Sequence, residues 1–138
     1  LRLLDADIFT YILYNASPYN PPCKPLIERA ARGELDLYVT HTTVLETYNV
    51  LYWSYKVKPR EAILRKISAA LNIISLVPPS IKGLDIALGN RIPLGDGILI
   101  ATALENKIPV IISNDKHIEK TAPRYGLIIE NPLKPAKP

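Results

Sequence analysis

Four carboxylates stand where this sequence makes a carboxylate expensive. Asp5 closes the apolar run Leu1–Leu4, Asp115 follows the run Pro109–Ser113, and Asp96 opens the aliphatic stretch GILIATALEN. Glu46 interrupts TTVLETYNVLYW, a helical pattern apolar enough that a surface role is unexpected. Each acid has an ordinary reading: a turn residue for Asp5 or Asp115, an N-cap for Asp96, a surface residue for Glu46. As a set they imply more. Two carboxylates about 4 Å apart repel by roughly 4 kcal/mol at an effective dielectric of 20. A fold that brings such groups together must offset the repulsion by protonation or by a bound cation. With only two histidines and a single cysteine in the chain, the hard oxygen donors favour Mg²⁺ or Mn²⁺ over Zn²⁺. The chemistry such an ion serves is phosphodiester hydrolysis, in which it polarises the phosphate and acidifies an attacking water.

The elements that must position these acids alternate in type. Strands are expected at Leu1–Leu4, Asp36–Thr40, Ile73–Val77, Pro109–Ser113 and Leu127–Glu130. Asp7 is the expected N-cap of a helix carrying Ile8, Tyr11 and Ile12, and the four prolines of Ser17–Pro25 read as a loop before a short helix LIERAAR closed by Gly33. Thr42 or Thr43 is the expected cap of a long helix to about Tyr55, and Pro59 opens REAILRKISAAL. Ser80 caps a short helix through Leu88, Gly89–Leu94 is a turn, Gly95 or Asp96 begins the next helix, and Asp115–Tyr125 is the last one, ended by Gly126. Strands alternating with helices imply a three-layer α/β/α fold around a mainly parallel, roughly five-stranded sheet. Ligands of such sheets bind beyond the carboxyl ends of the strands, where the strand order reverses. Residues 1–131 are expected to form one domain, and 132–138 a disordered proline- and lysine-bearing tail.

Composition narrows the classes. The 138 residues are 48% hydrophobic and 22% charged, ordinary for one globular domain and unlike a disordered chain. No apolar stretch approaches the roughly 18–20 residues of a membrane span, and no basic-then-apolar leader opens the chain, so a cytoplasmic protein with no membrane partner is expected. Cys23, the single cysteine, excludes an internal disulfide and a cysteine-based zinc site. The net charge of +4 permits a polyanionic partner without demanding one. With the four acids set aside the remainder is more basic still: Lys56, Lys58, Arg60, Arg65 and Lys66 gather around one helix start, and Lys116, Lys120 and Arg124 follow Asp115. Such groups can track a phosphate backbone, or simply form a solvated helix face. Tyr48, Tyr52 and Tyr55 share one stripe of their helix and read as core or interface rather than a base-stacking platform. His41 and His117 have no ligand spacing, and Asp85 reads as solvated.

The runs LLDADIFTYIL, TTVLETYNVL and LGDGILIATALENKIPVIISND, in this order and spacing, resemble a PIN domain, most closely its VapC toxin branch, from Leu3 to about Glu130. The family pattern is an Asp ending the first strand, a mid-helix Glu, an Asp at the start of an aliphatic helix, and an Asp after a strand with Thr or Ser two residues earlier. Asp5, Glu46, Asp96, Asp115 and Ser113 occupy those places. The resemblance implies an endoribonuclease whose four acids are catalytic and hold Mg²⁺ or Mn²⁺, leaving 5′-phosphate ends, with Ser113 orienting a carboxylate or water. It also implies a homodimer and silencing by a VapB-like antitoxin. Two positions depart from the pattern. Asp7 replaces the usual Asn, Ser or Thr and could be an extra ligand or a cap, and Gly97 replaces the usual Ala, which should loosen that helix start.

Three other readings compete. A haloacid dehalogenase-type phosphatase would use Asp5-Ala6-Asp7 as nucleophile and acid and Gly95-Asp96-Gly97 as its later acidic motif. Phe9 and Ile100 stand where that family wants Thr or Val and a further acid, and Glu46 has no task. A receiver domain needs its phosphoacceptor Asp on a middle strand, where the chain offers only Glu46 within a helix. A non-catalytic PIN-like scaffold binding RNA or a partner would have no reason to collect mutually repelling acids.

Overall fold

The sheet is organised by the alternation of its strand residues. In the computed structural model, which describes residues 1–134, five short strands pair in parallel: β1 (Arg2–Leu4), β2 (Leu37–Thr40), β3 (Ser75–Val77), β4 (Val110–Ile112) and β5 (Ile128–Glu130). Their order is β3-β2-β1-β4-β5. Register sets Leu3 beside Tyr38 and Ile111, and Leu4 beside Ile112. Successive strand side chains face opposite ways, so Leu4, Leu37, Val39 and Ile112 enter one core while Leu3 and Ile111 enter a second.

The first core is closed by α1 (Ala6–Leu13), α2 (Asn20–Ala31), α3 (His41–Asn49) and α4 (Arg60–Ala70), through Ile8, Phe9, Ile12, Cys23, Val44, Ile63 and Ile67, and by Leu51 from the segment after α3. The second is closed by α6 (Leu94–Glu105) and α7 (Lys116–Thr121), through Leu99, Ile100, Ala103 and Ile118, with α5 (Gly83–Asn90) packed on α6. This is the expected three-layer α/β/α fold, with every strand pair parallel. No helix among the described residues is long and apolar enough to cross a membrane.

Several local expectations are corrected. Asp5, not Asp7, caps α1, its side chain accepting from the Ala6 N–H at 2.7 Å. Residues 20–25 are helical rather than loop. Pro21 and Pro22 lie in the first turn of α2, where their missing N–H groups would have had no intrahelical partner. Cys23 is therefore a buried helical residue of the first core, its thiol pushed up to about 12 by burial and by Asp7. Thr40 caps α3 in place of Thr42 or Thr43, its hydroxyl accepting from the Thr43 N–H at 3.0 Å. The long helix expected to Tyr55 changes at Val50 into a π-helical segment, Val50–Ser54, in which the Tyr55 N–H reaches back five residues to the Val50 carbonyl. The helix after Ser80 starts later and ends later than expected, at Gly83 and Asn90. The last helix tightens to a 3₁₀ turn over Ala122–Tyr125 before Gly126. Of the expected tail, Leu133 packs against the first core and Lys134 pairs with Glu119 at 2.8 Å; residues 135–138 lie outside the described residues.

Gly97 does the opposite of loosening its helix. A Cβ there would lie 2.4 Å from the Gly83 carbonyl oxygen, and one at Gly83 would lie 2.3 Å from the Ile98 Cα. The backbones of α5 and α6 thus touch at a point where no side chain fits. Gly97→Ala is expected to cost roughly 1–3 kcal/mol of stability, as overpacking does. Gly89→Ala, also in α5 but with nothing within 4 Å of its added Cβ, should stabilise by about 0.5–1 kcal/mol. Urea unfolding of the two variants checks both signs.

Candidate active site

The strand order reverses between β1 and β4, since the chain passes outward from β1 through β2 to β3 and then returns to the other flank of β1. Asp5 and Asp115 follow these two strands, so the topology sets both at the carboxyl-end crevice. The Asp5 N–H continues the ladder to the Ile112 carbonyl at 3.0 Å. Its Oδ1 accepts from Ala6, and its Oδ2 accepts from the Ser113 hydroxyl at 2.6 Å. Ser113, only 2% exposed, also accepts the Asp115 N–H at 2.9 Å, so one hydroxyl ties the ends of β1 and β4 together. Asp115 caps α7 through Oδ1, which accepts from the N–H groups of His117 and Ile118 at 2.7 and 3.2 Å.

Glu46 and Asp96 arrive on helices. A buried polar tie holds α3 to α1: the Thr10 hydroxyl donates to the Ala6 carbonyl at 2.7 Å and meets the Thr47 hydroxyl at 3.2 Å. This places Glu46, the residue before Thr47, over Asp5. Asp96 lies in the first turn of α6. That helix is anchored to the segment after β3 by Thr102, whose hydroxyl accepts the Ser80 N–H at 3.0 Å. Asp5, Glu46 and Asp96 line one small cavity of about 40 Å³ with Thr40, Thr42, Thr43 and Gly95. Asp115 approaches from the side and acts electrostatically on both Asp5 and Asp96.

The acids perturb one another. Burial, the charges of Asp115, Asp5 and Glu46, and a hydrogen bond to the Asp115 carboxyl push Asp96 up to about 7. Asp5 is raised chiefly by burial, against the hydrogen bonds from Ser113 and Ala6 that favour its charged form. Glu46 is raised by partial burial and by Asp5, although it stands exposed at the cavity rim, where the sequence pattern suggested an interior position. Asp7 is raised to about 7 by burial and by Asp5, but both of its oxygens are occupied. Oδ1 accepts from the Ile8 N–H at 2.7 Å and Oδ2 from the Asn114 N–H at 3.0 Å, so it braces the loop after β4 and does not line the cavity.

The donor set suits a hard divalent cation. Asp96 Oδ2 is buried with no hydrogen-bond partner among the described residues, a cost that a cation would relieve. His41 and His117 are exposed and away from the cavity lining. Among the described residues no three His, Cys, Asp or Glu side chains are already drawn together as a metal-holding group. The acids face a common space without closing on a point. Thr40 and Asn114 are functional neighbours that sequence reasoning missed. The Thr40-His41-Thr42-Thr43 run at a strand-to-helix junction was the available signal for the first; the second contributes only its backbone.

The raised acids have a consequence for pH. Asp96 and Asp7 sit near 7 in the fold against an ordinary 3.8. Their contribution to stability is complete below about pH 4 and is lost as pH rises through about 7. The thermal midpoint of the metal-free protein should therefore fall between about pH 5 and pH 8, and Asp96→Asn should shallow that fall and raise the midpoint at its alkaline end. A midpoint that holds level across this range would contradict the crowding.

The chain is similar in fold to PAE2754 from Pyrobaculum aerophilum, with a TM-score of 0.64 and 16% identity over 93% of this chain and 87% of that one. It is similar to VapBC2 from Rickettsia felis, solved bound to a DNA fragment from its promoter, at 0.63 and 16% over 94% and 97%. It is also similar to VapC20 of Mycobacterium tuberculosis, described as a sarcin-ricin loop cleaving toxin, at 0.66 and 11% over 93% and 97%. No curated protein matches the sequence. The PIN domain family model, however, matches residues 2–123, from the first strand through the helix that Asp115 caps, and the chain belongs to the PIN domain family.

Proposed function

We propose that this chain is a divalent-metal-dependent endoribonuclease of the VapC toxin kind. The observation that carries the reading is the meeting of Asp5, Glu46, Asp96 and Asp115 at the strand-order reversal, with one Asp96 oxygen buried and unpaired. The family assignment supports it, as does the likeness to VapC20, a toxin that cleaves the sarcin-ricin loop. Asp5, Glu46, Asp96 and Asp115 would hold Mg²⁺ or Mn²⁺, which when bound supplies charge neutralisation at the phosphate and a more acidic water. The protein's own groups do the positioning. Ser113 fixes the Asp5 carboxylate relative to the Asp115 backbone, and Glu46 at the rim, with its raised pKa, can take a proton from water entering the cavity. Lys116, Lys120 and Arg124, exposed beyond Asp115, can receive the phosphate backbone. A VapB-like antitoxin belongs to the same reading, supported by the likeness to VapBC2, and a homodimer and a cytoplasmic setting are proposed with it. The phosphatase alternative loses ground because Asp7, its required acid, does not line the cavity that Asp5 and Asp96 share.

Purified protein in Mn²⁺ or Mg²⁺ should cut a mixed-sequence RNA, leave 5′-phosphate ends and spare a small phosphomonoester. EDTA should stop it, and Asp96→Asn should lower the rate roughly 100-fold or more while leaving the circular dichroism spectrum unchanged. Full activity in that variant would overturn the site. Independently of cleavage, Mn²⁺ at about 100 times its Kd should stabilise the wild type by about 2.7 kcal/mol, and Asp96→Asn should lose most of that gain in a thermal melt.

A further inference from the structure

The π-helical segment that follows α3 presents an aromatic group for which the cavity chemistry has no use. Trp53, the only tryptophan, is 68% exposed. Large aromatic side chains normally bury most of their area, and here the surrounding structure fixes the ring's neighbours instead of covering it. Tyr48 and Tyr52 lie half-buried against the first core and stack on each other, their centroids 5.9 Å apart and their planes within 6°. The Arg60 guanidinium lies over the Tyr52 ring, 4.9 Å from its centroid, and donates to the Tyr52 hydroxyl at 3.2 Å. Trp53 stands nearly perpendicular to Tyr52, at 88° and 4.7 Å. Tyr52 is thus immobilised by core, stack and cation, and it props an indole that remains largely open to solvent.

The charged residues that follow this ring are mostly basic. Lys56, Lys58 and Arg60 follow it and are all exposed. Among the described residues none of the three enters a salt bridge. Glu61 is the neighbouring acid in the chain. An open aromatic face beside unpaired cations suits a ligand that offers a flat π-surface and negative charge at short spacing, which describes an unpaired nucleotide strand better than an apolar protein surface. The site lies on the same helical rod as Glu46. Seven residues of rise separate Trp53 from it, about 10 Å along the axis, a distance a single strand covers in a few nucleotides.

We propose that Trp53, braced by Tyr52 and Arg60, stacks on an unpaired base of an RNA strand whose phosphates meet Lys56 and Lys58, holding the substrate where it leaves the acidic cavity. The tyrosines are then the frame, consistent with their core packing, and Trp53 is the contact. This assignment rests on the ribonuclease reading for its substrate, but binding can be measured apart from cutting.

Full-length protein in EDTA is titrated with a short oligoadenylate, reading the intrinsic fluorescence of Trp53 and, in parallel, the anisotropy of a dye-labelled strand. The expected result is quenching that weakens with added salt and is much reduced when the same strand is presented in a duplex, where its base faces are hidden. Trp53→Ala should weaken anisotropy-detected binding about tenfold, and Trp53→Phe should recover most of it. In Mn²⁺, Trp53→Ala should raise KM for a long RNA while leaving kcat unchanged. Quenching by RNA in a protein that cuts nothing would support the stacking site and defeat the ribonuclease reading. Cleavage by the wild type, with no quenching and with Trp53→Ala binding and cutting normally, would overturn the stacking site alone. Fluorescence that follows protein concentration and ignores RNA would also overturn it, marking the face as an interface between copies of this chain.

Discussion

The rest of the structure depends on holding like charges together. Carboxylates at contact distance oppose folding by several kcal/mol, yet two strand ends and two helices bring four of them to a shared space. The fold offsets this with positive ends of helices. Asp5 caps α1, Asp115 caps α7, and Asp96 occupies the first turn of α6. Asp5 and Asp115 therefore accept backbone N–H groups, and all three carboxylates lie at the favourable end of a helix dipole, an interaction worth about 0.3–2 kcal/mol. Asp96, read as an N-cap, lies in the first turn behind Pro93 and caps nothing, whereas Asp5 and Asp115, read as turn residues, are caps, and the cap is what makes their charge tolerable. It does not neutralise the charge completely. The residue of the conflict is stored in Asp96 and Asp7, both lifted to about 7.

Geometry of this kind needs walls that do not give. The Ser113 hydroxyl joins the ends of β1 and β4, the Thr10–Thr47 contact joins α1 to α3, and the backbone contact of Gly83 with Gly97 and Ile98 joins α5 to α6. Each replaces a compliant side-chain contact by a short polar or backbone one. None involves a cavity acid directly except through Ser113, so the frame can be rigid while Asp96 Oδ2 keeps no hydrogen-bond partner among the described residues.

Much of this was legible from residue order. The alternation of Leu3 with Leu4 and of Ile111 with Ile112 announced a sheet buried on both faces, and an Asp after each of these strands announced where the crevice lies. What escaped was whatever depends on a partner distant in sequence. Asp7 looks like a cap because it precedes an amphipathic run, but β1 ends one residue before Asp5, which takes the cap and turns Asp7 toward the Asn114 backbone. Gly97 looks like a flaw in α6 until Gly83 is found against it. Prolines at 21, 22 and 25 suggest a loop, yet the first turn of α2 needs few of the donors that Pro21 and Pro22 lack, and the helix continues through Pro25. The change to π-helical bonding at Val50 has no compositional mark, and it sets the surroundings of Trp53.

Cys23 draws a practical line through all of this. Its sulfur is fully buried in the first core, and its thiol is pushed up to about 12, so at neutral pH it supplies almost no thiolate and no access for an alkylating reagent. The native chain is in effect thiol-silent while folded. A cysteine introduced on any exposed helix can carry a spectroscopic label without first removing the native one, and the appearance of reactivity at Cys23 itself becomes a chemical clock for opening of the α1–α2 layer.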